Sequence, residues 1–454
     1  MRNILLAVLA VITALFITSC KQVAINPSAD QNGEVKSLNK SSGNVAINIV
    51  LNTDINDKII KELNSYGKVL DVIYELKAVR LLGKENVLSK IQALPFVEGA
   101  NPDAERNAPP VDAVSAEDFI DGLSTWNLDA VNVTDEGVDN RTVAEDGTGV
   151  VVGVLDSGLL DSWRQYFPQE RILTQYAKSY SGGGARGINV AEQPNKWEHD
   201  QDSHGTHVTS TIIGYSLGST PVNGVAPMVQ IVPVKVLNQN GSGWSSVIAQ
   251  GIYYMAGLKE TLNKPVVINM SLGGRSLDVL EKAAIDYAIG KGVIIVASAG
   301  NNGTYGMGYP GAYGPVISVA AAGANFAFSN STWWYTFDVP EGLTPAGYGI
   351  YFNIPDFSSR ALSGQDLDVT APGEWILGPY QVQSGKTSYY YLAGTSMACP
   401  HVTGIVALML QNHNSLTASQ VELKLESAAI HINGYTASDY GSGFITADAA
   451  LSGL

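Results

Sequence analysis

The feature that most constrains the fold is an alternation of short apolar segments with helical patterns, which begins after Thr148. Val150 to Leu155 is a β-branched run, and similar apolar segments lie within residues 230–237, 265–274 and 292–301. Such runs are typical of strands buried on both faces of a parallel sheet, because helices cover each face. The alternation therefore predicts an α/β architecture. With 454 residues, 45% hydrophobic and 15% charged, the chain can bury one large core and a small additional domain.

Residues 394–402, Gly-Thr-Ser-Met-Ala-Cys-Pro-His-Val, predict a small-residue turn that leads directly into a buried helix. Pro400 is expected in the first helical turn, where a missing N–H has no cost. Ser396 would then lie at the positive end of the helix dipole, close to free backbone N–H groups. That position suits a nucleophile attacking a carbonyl, because negative charge develops beside those donors. The alternative is that this serine segment is only a helix N-cap.

Two upstream segments supply the partners that a serine nucleophile needs, namely a base and an acid that orients the base. Asp156 follows the run Val150 to Leu155, and α/β proteins place functional groups at the carboxyl ends of parallel strands. His204 is expected at the N-terminal end of a helix. The order along the chain is thus Asp156, His204, Ser396.

The segments Val-Leu-Asp-Ser-Gly, His-Gly-Thr-His-Val and Gly-Thr-Ser-Met-Ala-Cys-Pro-His-Val resemble the three active-site signatures of the subtilisin-like serine protease family, whose Asp, His, Ser order they share. The resemblance extends from about Trp126 to the end of the chain. It implies a subtilisin-like parallel sheet with helices on both faces and an endopeptidase that works through an acyl-enzyme. Ser396 would be the nucleophile, His204 the general base, and Asp156 the group that orients the imidazole.

The same resemblance identifies an oxyanion donor and a substrate edge. Asn301 matches the family's oxyanion asparagine, the alternative being a plain asparagine turn. Ser271, Leu272 and Gly273 resemble the strand that pairs with an extended substrate, the alternative being an ordinary strand end. Gly308 resembles the floor of the primary pocket. Because these segments carry no acidic residue, we predict a preference for apolar or large neutral side chains there.

The chemistry predicted here requires no cofactor. A metal cluster of His199, His204 and His207 is the alternative, but the H-E-x-x-H pattern is missing. Calcium commonly stabilises members of this family. The loop Tyr215 to Val222 occupies the matching region without the usual side-chain ligands, so structural calcium stays open and unassigned. The net charge of −15 and the pI of about 4.8 argue against nucleic acid as a partner, since an acidic surface repels phosphates.

The N-terminus carries a targeting segment. Arg2 precedes an apolar run that ends at Ile17, which fits a signal peptide over residues 1–20. Ile17 to Cys20 also resembles a bacterial lipobox, so Cys20 is expected to be lipidated, the alternative being an ordinary signal peptide with a chance cysteine. The expected location is extracytoplasmic, either as a lipoprotein on the membrane or secreted after processing.

A small domain is predicted between this leader and the α/β region. Residues 21–44 are polar and indicate a flexible tether. Residues 45–106 predict a strand–helix–strand–strand–helix–strand order, which is the ferredoxin-like pattern. By resemblance this domain is the family's propeptide, an intramolecular inhibitor that covers the active site of a zymogen, and residues 107–454 form the catalytic domain. The alternative for its Asp54 to Asp57 segment, a calcium loop, is disfavoured relative to helix capping.

Residues 325–357 form an aromatic-rich insertion that is longer than the family usually has. One interpretation is a loop that shapes the substrate cleft or binds a partner. The other is a hairpin packed on the domain's own surface. Alternatives to a general endopeptidase that acts on polypeptides are a maturation protease dedicated to one exported partner and an inactive binding protein that keeps the fold.

Overall fold

The structure is a computed structural model, and it describes residues 44–107, 112–115, 124–135, 141–184, 187–218, 220–325, 339–340, 342–382 and 387–454. The predictions for the signal peptide, for the tether and for Cys20 lie outside the described residues. Residues 44–454 form one compact unit.

The first part of this unit is a four-stranded antiparallel sheet with two helices, which we call the ferredoxin-like segment (residues 44–102). Its elements are β1 (Asn44–Leu51), α1 (Asp57–Asn64), β2 (Gly67–Ile73), β3 (Ala78–Lys84), α2 (Leu88–Gln92) and β4 (Val97–Pro102). The strand order β2-β3-β1-β4 is that of a ferredoxin-like sheet. Apolar side chains from the strands and both helices form a separate small core. The predicted element order is confirmed.

The ends of α1 show how local sequence fixes this segment. The Asn56 side chain accepts hydrogen bonds from the backbone N–H groups of Lys58 and Ile59, each at 3.1 Å, as an N-cap does. Helix α1 ends at Asn64, and Gly67 begins β2 three residues later. A Cβ at this glycine would lie 2.2 Å from the carbonyl oxygen of Leu82. Gly67 therefore serves the close approach of two strands.

The rest of the unit is the α/β part (residues 124–454), joined to the ferredoxin-like segment by two short strands, β5 (Glu105–Asn107) and β6 (Asp112–Ser115). Its strands are β7 (Val151–Asp156), β8 (Lys178–Gly183), β9 (Ile188–Glu192), β10 (Gly214–Leu217), β11 (Thr220–Asn223), β12 (Gln230–Lys235), β13 (Ser242–Trp244), β14 (Val266–Met270), β15 (Ile294–Ser298), β16 (Ile317–Ala324), β17 (Phe352–Asn353), β18 (Val369–Pro372), β19 (Ile376–Gln381) and β20 (Thr387–Ala393). Its helices are α3 (Trp126–Ala130), α4 (His204–Ile213), α5 (Ser245–Leu262), α6 (Val279–Gly290), α7 (Pro345–Tyr351), α8 (Thr395–Asn412), α9 (Ala418–Ala428), α10 (Ala437–Tyr440) and α11 (Ala447–Leu451). No helix within these described residues combines the length and the apolar character that crossing a membrane requires.

A single twisted sheet forms the centre of the α/β part. Its strand order is β17-β16-β15-β14-β7-β12-β8-β9, with β18 beside β16, and the pairs among β12, β7, β14, β15, β16 and β18 are parallel. Alternate residues of β7 face opposite sides. Val152 and Val154 pack with α4 and α8, whereas Val151 and Leu155 pack with α5 and α6. The predicted parallel sheet with helices on both faces is confirmed.

Helix α8 begins one residue before the serine, and this changes the expected role of Pro400. Because the helix starts at Thr395, Pro400 is its sixth residue and lies in the helix interior rather than in the first turn. The missing N–H of Pro400 would have bonded to the carbonyl oxygen of Ser396, four residues earlier. That carbonyl instead accepts a hydrogen bond from Ser271 Oγ at 2.9 Å.

The described part of the aromatic insertion packs on its own domain. Phe352 stacks on Phe444 with ring centroids 4.7 Å apart, and both rings contact Tyr348. Strand β17 pairs with the end of β16. Trp333, Trp334, Tyr335 and Phe337 lie outside the described residues, so the choice between a cleft loop and a surface hairpin stays a prediction for them.

Candidate active site

The carboxyl end of β7 brings Asp156 against the first residue of α4. His204 Nδ1 lies 2.9 Å from both carboxylate oxygens of Asp156, and both residues are almost completely buried. A Cβ on Gly205 would lie 2.4 Å from the carbonyl oxygen of Gly158, which is too close for any side chain. The small residue after the histidine therefore lets α4 approach the end of β7 closely enough for the Asp156 and His204 side chains to meet.

Ser396 lies in the first turn of α8, which packs directly against α4. Its Oγ is 3.4 Å from the carbonyl oxygen of Ser271. Among the described residues, His204 Nε2 has no hydrogen-bond partner and is shielded from solvent. The serine hydroxyl thus points along the end of β14 in this structure. Catalytic hydrogen bonds in proteins without substrate are often long or misaligned, and they tighten in the substrate complex.

A buried chain of polar groups lies beneath the serine and was not foreseen from the sequence. Ser271 Oγ, which donates to Ser396, accepts from the amide nitrogen of Asn269 at 3.1 Å. The amide oxygen of Asn269 accepts from Thr403 at 2.8 Å and from Cys399 Sγ at 3.3 Å. These hydrogen bonds link the end of β14 to α8 and thereby fix the position of the Ser396 backbone relative to the sheet.

Asn301 follows β15 and is held by the residue that precedes the serine. Its side-chain oxygen accepts hydrogen bonds from the backbone N–H and the hydroxyl of Thr395, both at 2.9 Å. The same hydroxyl accepts from the backbone N–H of Gly300 at 3.0 Å. Because its oxygen is fixed in this way, the amide orientation of Asn301 is set by α8 itself.

The two predicted substrate segments lie side by side. Gly274, which follows Ser271, Leu272 and Gly273, exchanges two backbone hydrogen bonds with Tyr309, of 2.8 and 2.7 Å. A Cβ on the neighbouring Gly308 would be 3.5 Å from its nearest neighbour, an ordinary contact. Gly308 is therefore not demanded by packing of the described residues. Its role in leaving a deep pocket stays a prediction.

Two further carboxylates stand beside His204. Asp200 is fully buried and accepts hydrogen bonds from Ser157 Oγ at 2.7 Å and from the backbone N–H of Ser203 at 2.8 Å. Burial raises the pKa of Asp200 to about 7. Asp202 accepts a longer bond, 3.3 Å, from the backbone N–H of His204. The spacing Asp-x-Asp-Ser-His was visible in the sequence and could have indicated two carboxylates close to His204.

These charges determine the protonation behaviour of His204. Burial lowers the pKa of His204, but the Asp156 carboxylate, with help from Asp202 and Asp200, outweighs burial and the net shift is upward. Two other histidines are structural. Burial lowers the pKa of His207 to about 3 and that of His401 to about 4. Both are buried and hydrogen-bonded to backbone carbonyls, of Ile376 and Met397 respectively.

Three carboxylates could hold a cation away from this centre. Oxygens of Asp366, Asp368 and Glu422 lie within 4.8 Å of one another, the single such group among the described residues. One oxygen of the buried Asp368 accepts from the backbone N–H and the hydroxyl of Ser318, at 2.6 and 2.8 Å. The other is buried and has no partner among the described residues. A hard cation with oxygen ligands fits this donor set.

The fold and the site together define a serine endopeptidase of the subtilisin type. The chain belongs to the subtilase family, whose model matches residues 147–444. Subtilisin DY of Bacillus licheniformis is 34% identical over 308 residues, which is 67% of this chain and 91% of the relative. A thermostable alkaline protease of Halalkalibacterium halodurans is 30% identical over 84% of this chain and 86% of its own length.

One relative resembles the chain over its whole length. Fervidolysin of Fervidobacterium pennivorans is 28% identical across 100% of this chain and 67% of the relative. Its crystal structure, described as that of a keratinolytic enzyme related to subtilisin, superposes with a TM-score of 0.66 at 27% identity, covering 90% of this chain and 61% of that chain. The similarity therefore includes the ferredoxin-like segment as well as the α/β part.

Proposed function

We propose that Ser396 attacks the carbonyl of a polypeptide substrate while His204 removes its proton and Asp156 holds the imidazole. The observation that carries this proposal is the contact of both Asp156 oxygens with His204 Nδ1 at 2.9 Å. Nδ1 donates its hydrogen to the carboxylate, which leaves Nε2 as the basic nitrogen. Nε2 then returns the proton to the leaving amine, and water hydrolyses the acyl-enzyme by the same route.

The oxyanion that forms in this step is assigned to Asn301 and to backbone N–H groups at the start of α8. The side-chain oxygen of Asn301 accepts two hydrogen bonds from Thr395, which fixes the orientation of the amide group. The amide nitrogen is the donor that this proposal assigns to the oxyanion. Donors that are oriented before the reaction stabilise the developing charge without reorganisation. The first turn of α8 adds the positive end of its helix dipole.

The ferredoxin-like segment is proposed to be an intramolecular inhibitor. Its sheet lies on α5 and α6. Asp103, the first residue after the segment, accepts hydrogen bonds from Ser245 Oγ at 2.9 Å and from the Ser246 backbone N–H and hydroxyl at 3.1 and 2.7 Å. Asp103 thus acts as an N-cap for α5 supplied from another segment. Asn48 and Asn101 donate to Asp278, which caps α6.

Two strands carry the connecting chain along the active-site side. Strand β5 pairs with β13, and β6 pairs with β20, where Asp112 lies opposite Ala393, three residues before Ser396. An extended segment that adds to exposed strand edges is how proteases hold a peptide. We propose that the chain is a zymogen that cleaves itself between Arg106 and Trp126.

Intact mass spectrometry tests the proposal. The chain from residue 21 is purified in parallel with its Ser396→Ala variant. The parent is expected to yield a fragment that begins between Arg106 and Trp126, whereas the variant stays whole. Hydrolysis of a denatured protein substrate should fall by about 10⁶-fold in the variant, a magnitude known for a subtilisin that lacks its nucleophile rather than one derived from this structure. Equal cutting of both proteins would contradict self-processing, and equal hydrolysis would contradict Ser396 as nucleophile.

The location follows from the predicted leader. We propose export through the signal peptide, with Cys20 lipidated on the zymogen and the catalytic part released on activation. The support is that Cys20 precedes the inhibitory segment in sequence, so that cleavage after it separates anchor from enzyme. Recovery of the processed catalytic part in the membrane fraction after a high-salt wash would contradict the release.

A further inference from the structure

The connecting strand β5 buries an arginine in the α/β part. Arg106 has 1% of its surface exposed, and its partner Glu281, on α6, has none. Arg106 Nε and Nη2 each lie 2.7 Å from Glu281 Oε2, and Nη2 donates to the carbonyl oxygen of Ser276 at 2.6 Å. The α/β part therefore contains a pocket that encloses a whole arginine side chain and supplies an acceptor at its base.

The backbone around Arg106 has the geometry of a bound peptide. Arg106 lies opposite Gly243 in an antiparallel ladder between β5 and β13. The backbone N–H of Ser245 donates to the carbonyl oxygen of Ala104 at 2.7 Å, which extends the contact by one further bond. Main-chain pairing provides affinity in this mode of recognition, and pockets for individual side chains provide specificity.

Glu281 belongs to the α/β part and would remain there if cleavage released the segment that carries Arg106. Glu281 is the third residue of α6, where the helix dipole favours a negative charge. Burial raises the pKa of the Glu281 carboxyl to about 7, although Arg106 opposes this rise. Its second oxygen is also buried and has no partner among the described residues. A buried carboxylate of this kind is costly without a cationic partner.

We propose that Glu281 and the carbonyl of Ser276 form a subsite that selects arginine in the substrate, at the position that pairs with Gly243, and that Arg106 occupies it in the zymogen. This rests on the proposed endopeptidase function. The subsite differs from the primary pocket beside Gly273 and Gly308, for which apolar or large neutral side chains are expected. A planar guanidinium fits better than an ammonium, since it donates to the carboxylate and to the carbonyl together.

The test is a cleavage profile of the full-length protein after activation, on a peptide library made from a proteome digest. New termini are read by mass spectrometry. Arginine should be enriched at one fixed position two to five residues before the cleaved bond. Glu281→Gln should remove the enrichment, while Asp286→Asn, an exposed carboxylate on the same helix, should keep it. For a peptide taken from the profile, replacing this arginine by citrulline should lower kcat/KM by about tenfold to a hundredfold in the parent, because a charged hydrogen bond is lost.

The outcomes separate the two proposals. Cleavage without arginine enrichment, or enrichment that survives in Glu281→Gln, overturns the subsite and leaves the endopeptidase function standing. Absence of cleavage relative to Ser396→Ala overturns the endopeptidase function and the substrate role together. The pocket itself is then decided by a binding measurement in full-length Ser396→Ala carrying Arg106→Ala. Ethylguanidinium should raise its thermal midpoint, and the further change Glu281→Gln should abolish the rise. No difference between these two proteins would mean that the pocket does not bind a guanidinium.

Discussion

The residue with the most consequential surroundings is His204, which works among three carboxylates. Asp156 accepts its Nδ1 hydrogen, while Asp202 and Asp200 add negative charge at longer range. Each carboxylate stabilises the imidazolium and so raises the pKa of His204. In the proposed mechanism His204 must be deprotonated before it can act as a base. The fall of kcat/KM on the acidic side of its pH profile, the acid limb, therefore reports the combined effect of these charges on the pKa of His204.

Asp202→Asn should move that acid limb to lower pH. The change removes one charge that raises the pKa of His204 but keeps an oxygen for the backbone N–H of His204. The neutral, active imidazole then persists to lower pH. The measurement is kcat/KM against pH, with Asp161→Asn as the control, because Asp161 is exposed and pairs with His199. An acid limb that does not move, or that moves to higher pH, would contradict the electrostatic role of Asp202.

Residue by residue, the sequence predicted best what lies in contiguous segments. Asp156, His204 and Ser396 each lie in a local sequence pattern, and the structure brings the Asp156 and His204 side chains together. Their catalytic roles stay a prediction. Ser271 was expected only as substrate backbone. Its hydroxyl bond to the Ser396 carbonyl depends on where α8 begins and on a contact across 125 positions of sequence. Such contacts are set by packing, so no local pattern could have revealed them.

At the scale of elements, the active site depends on how closely α4 approaches the end of β7. Gly205→Ala should reduce both stability and activity, because its Cβ would lie 2.4 Å from the Gly158 carbonyl oxygen and 3.1 Å from Asp156 Cβ. Because the contact is with a backbone atom, it can be relieved only by moving α4, the helix that carries His204, or the chain at Gly158. We expect a loss of about 1–3 kcal/mol in the free energy of unfolding, typical of overpacking, and a fall in kcat.

The matched control is Gly257→Ala on α5, where a Cβ would meet nothing within 4 Å. Alanine should stabilise that helix position by about 0.5–1 kcal/mol. Denaturant unfolding of both variants in the Ser396→Ala background provides the free energies without self-digestion, and kcat is measured in the active parent. If the Gly205→Ala variant were as stable and as active as the Gly257→Ala variant, α4 would have more freedom to move than this packing implies.

For the whole molecule, each half was predictable from the sequence but their docking was not. Strand and helix periodicities are local, and they predicted both the ferredoxin-like order and the parallel sheet. The interface instead uses polar residues that look like surface groups or ordinary caps, such as Asn48, Asp103 and Asp278. Their partners lie 55 to 230 positions away. Glu281 likewise resembles a solvated helix residue until Arg106 is placed on it.

The carboxylate group of Asp366, Asp368 and Glu422 leads to a prediction for the stability of the whole protein. Burial raises the pKa of Asp368 and of Glu422 to about 7, and neighbouring carboxylates add to each rise. In the folded state both groups hold protons that the unfolded chain has already released, so stability should decline as pH rises from about 4 to about 7 when cations are chelated. A bound calcium ion would neutralise the charges and remove this decline.

Thermal unfolding of the Ser396→Ala protein from pH 4 to 8, with EDTA or with calcium, measures the effect. At a calcium concentration 100-fold above the dissociation constant, binding contributes about 2.7 kcal/mol, which corresponds to a few degrees in Tm. Glu422→Gln should shrink both the calcium increment and the loss on chelation at pH 8, because it removes one ligand and one crowded charge. Glu170→Gln, an exposed carboxylate elsewhere, should change neither. A calcium increment that is equal in the two variants would place the ion away from this group.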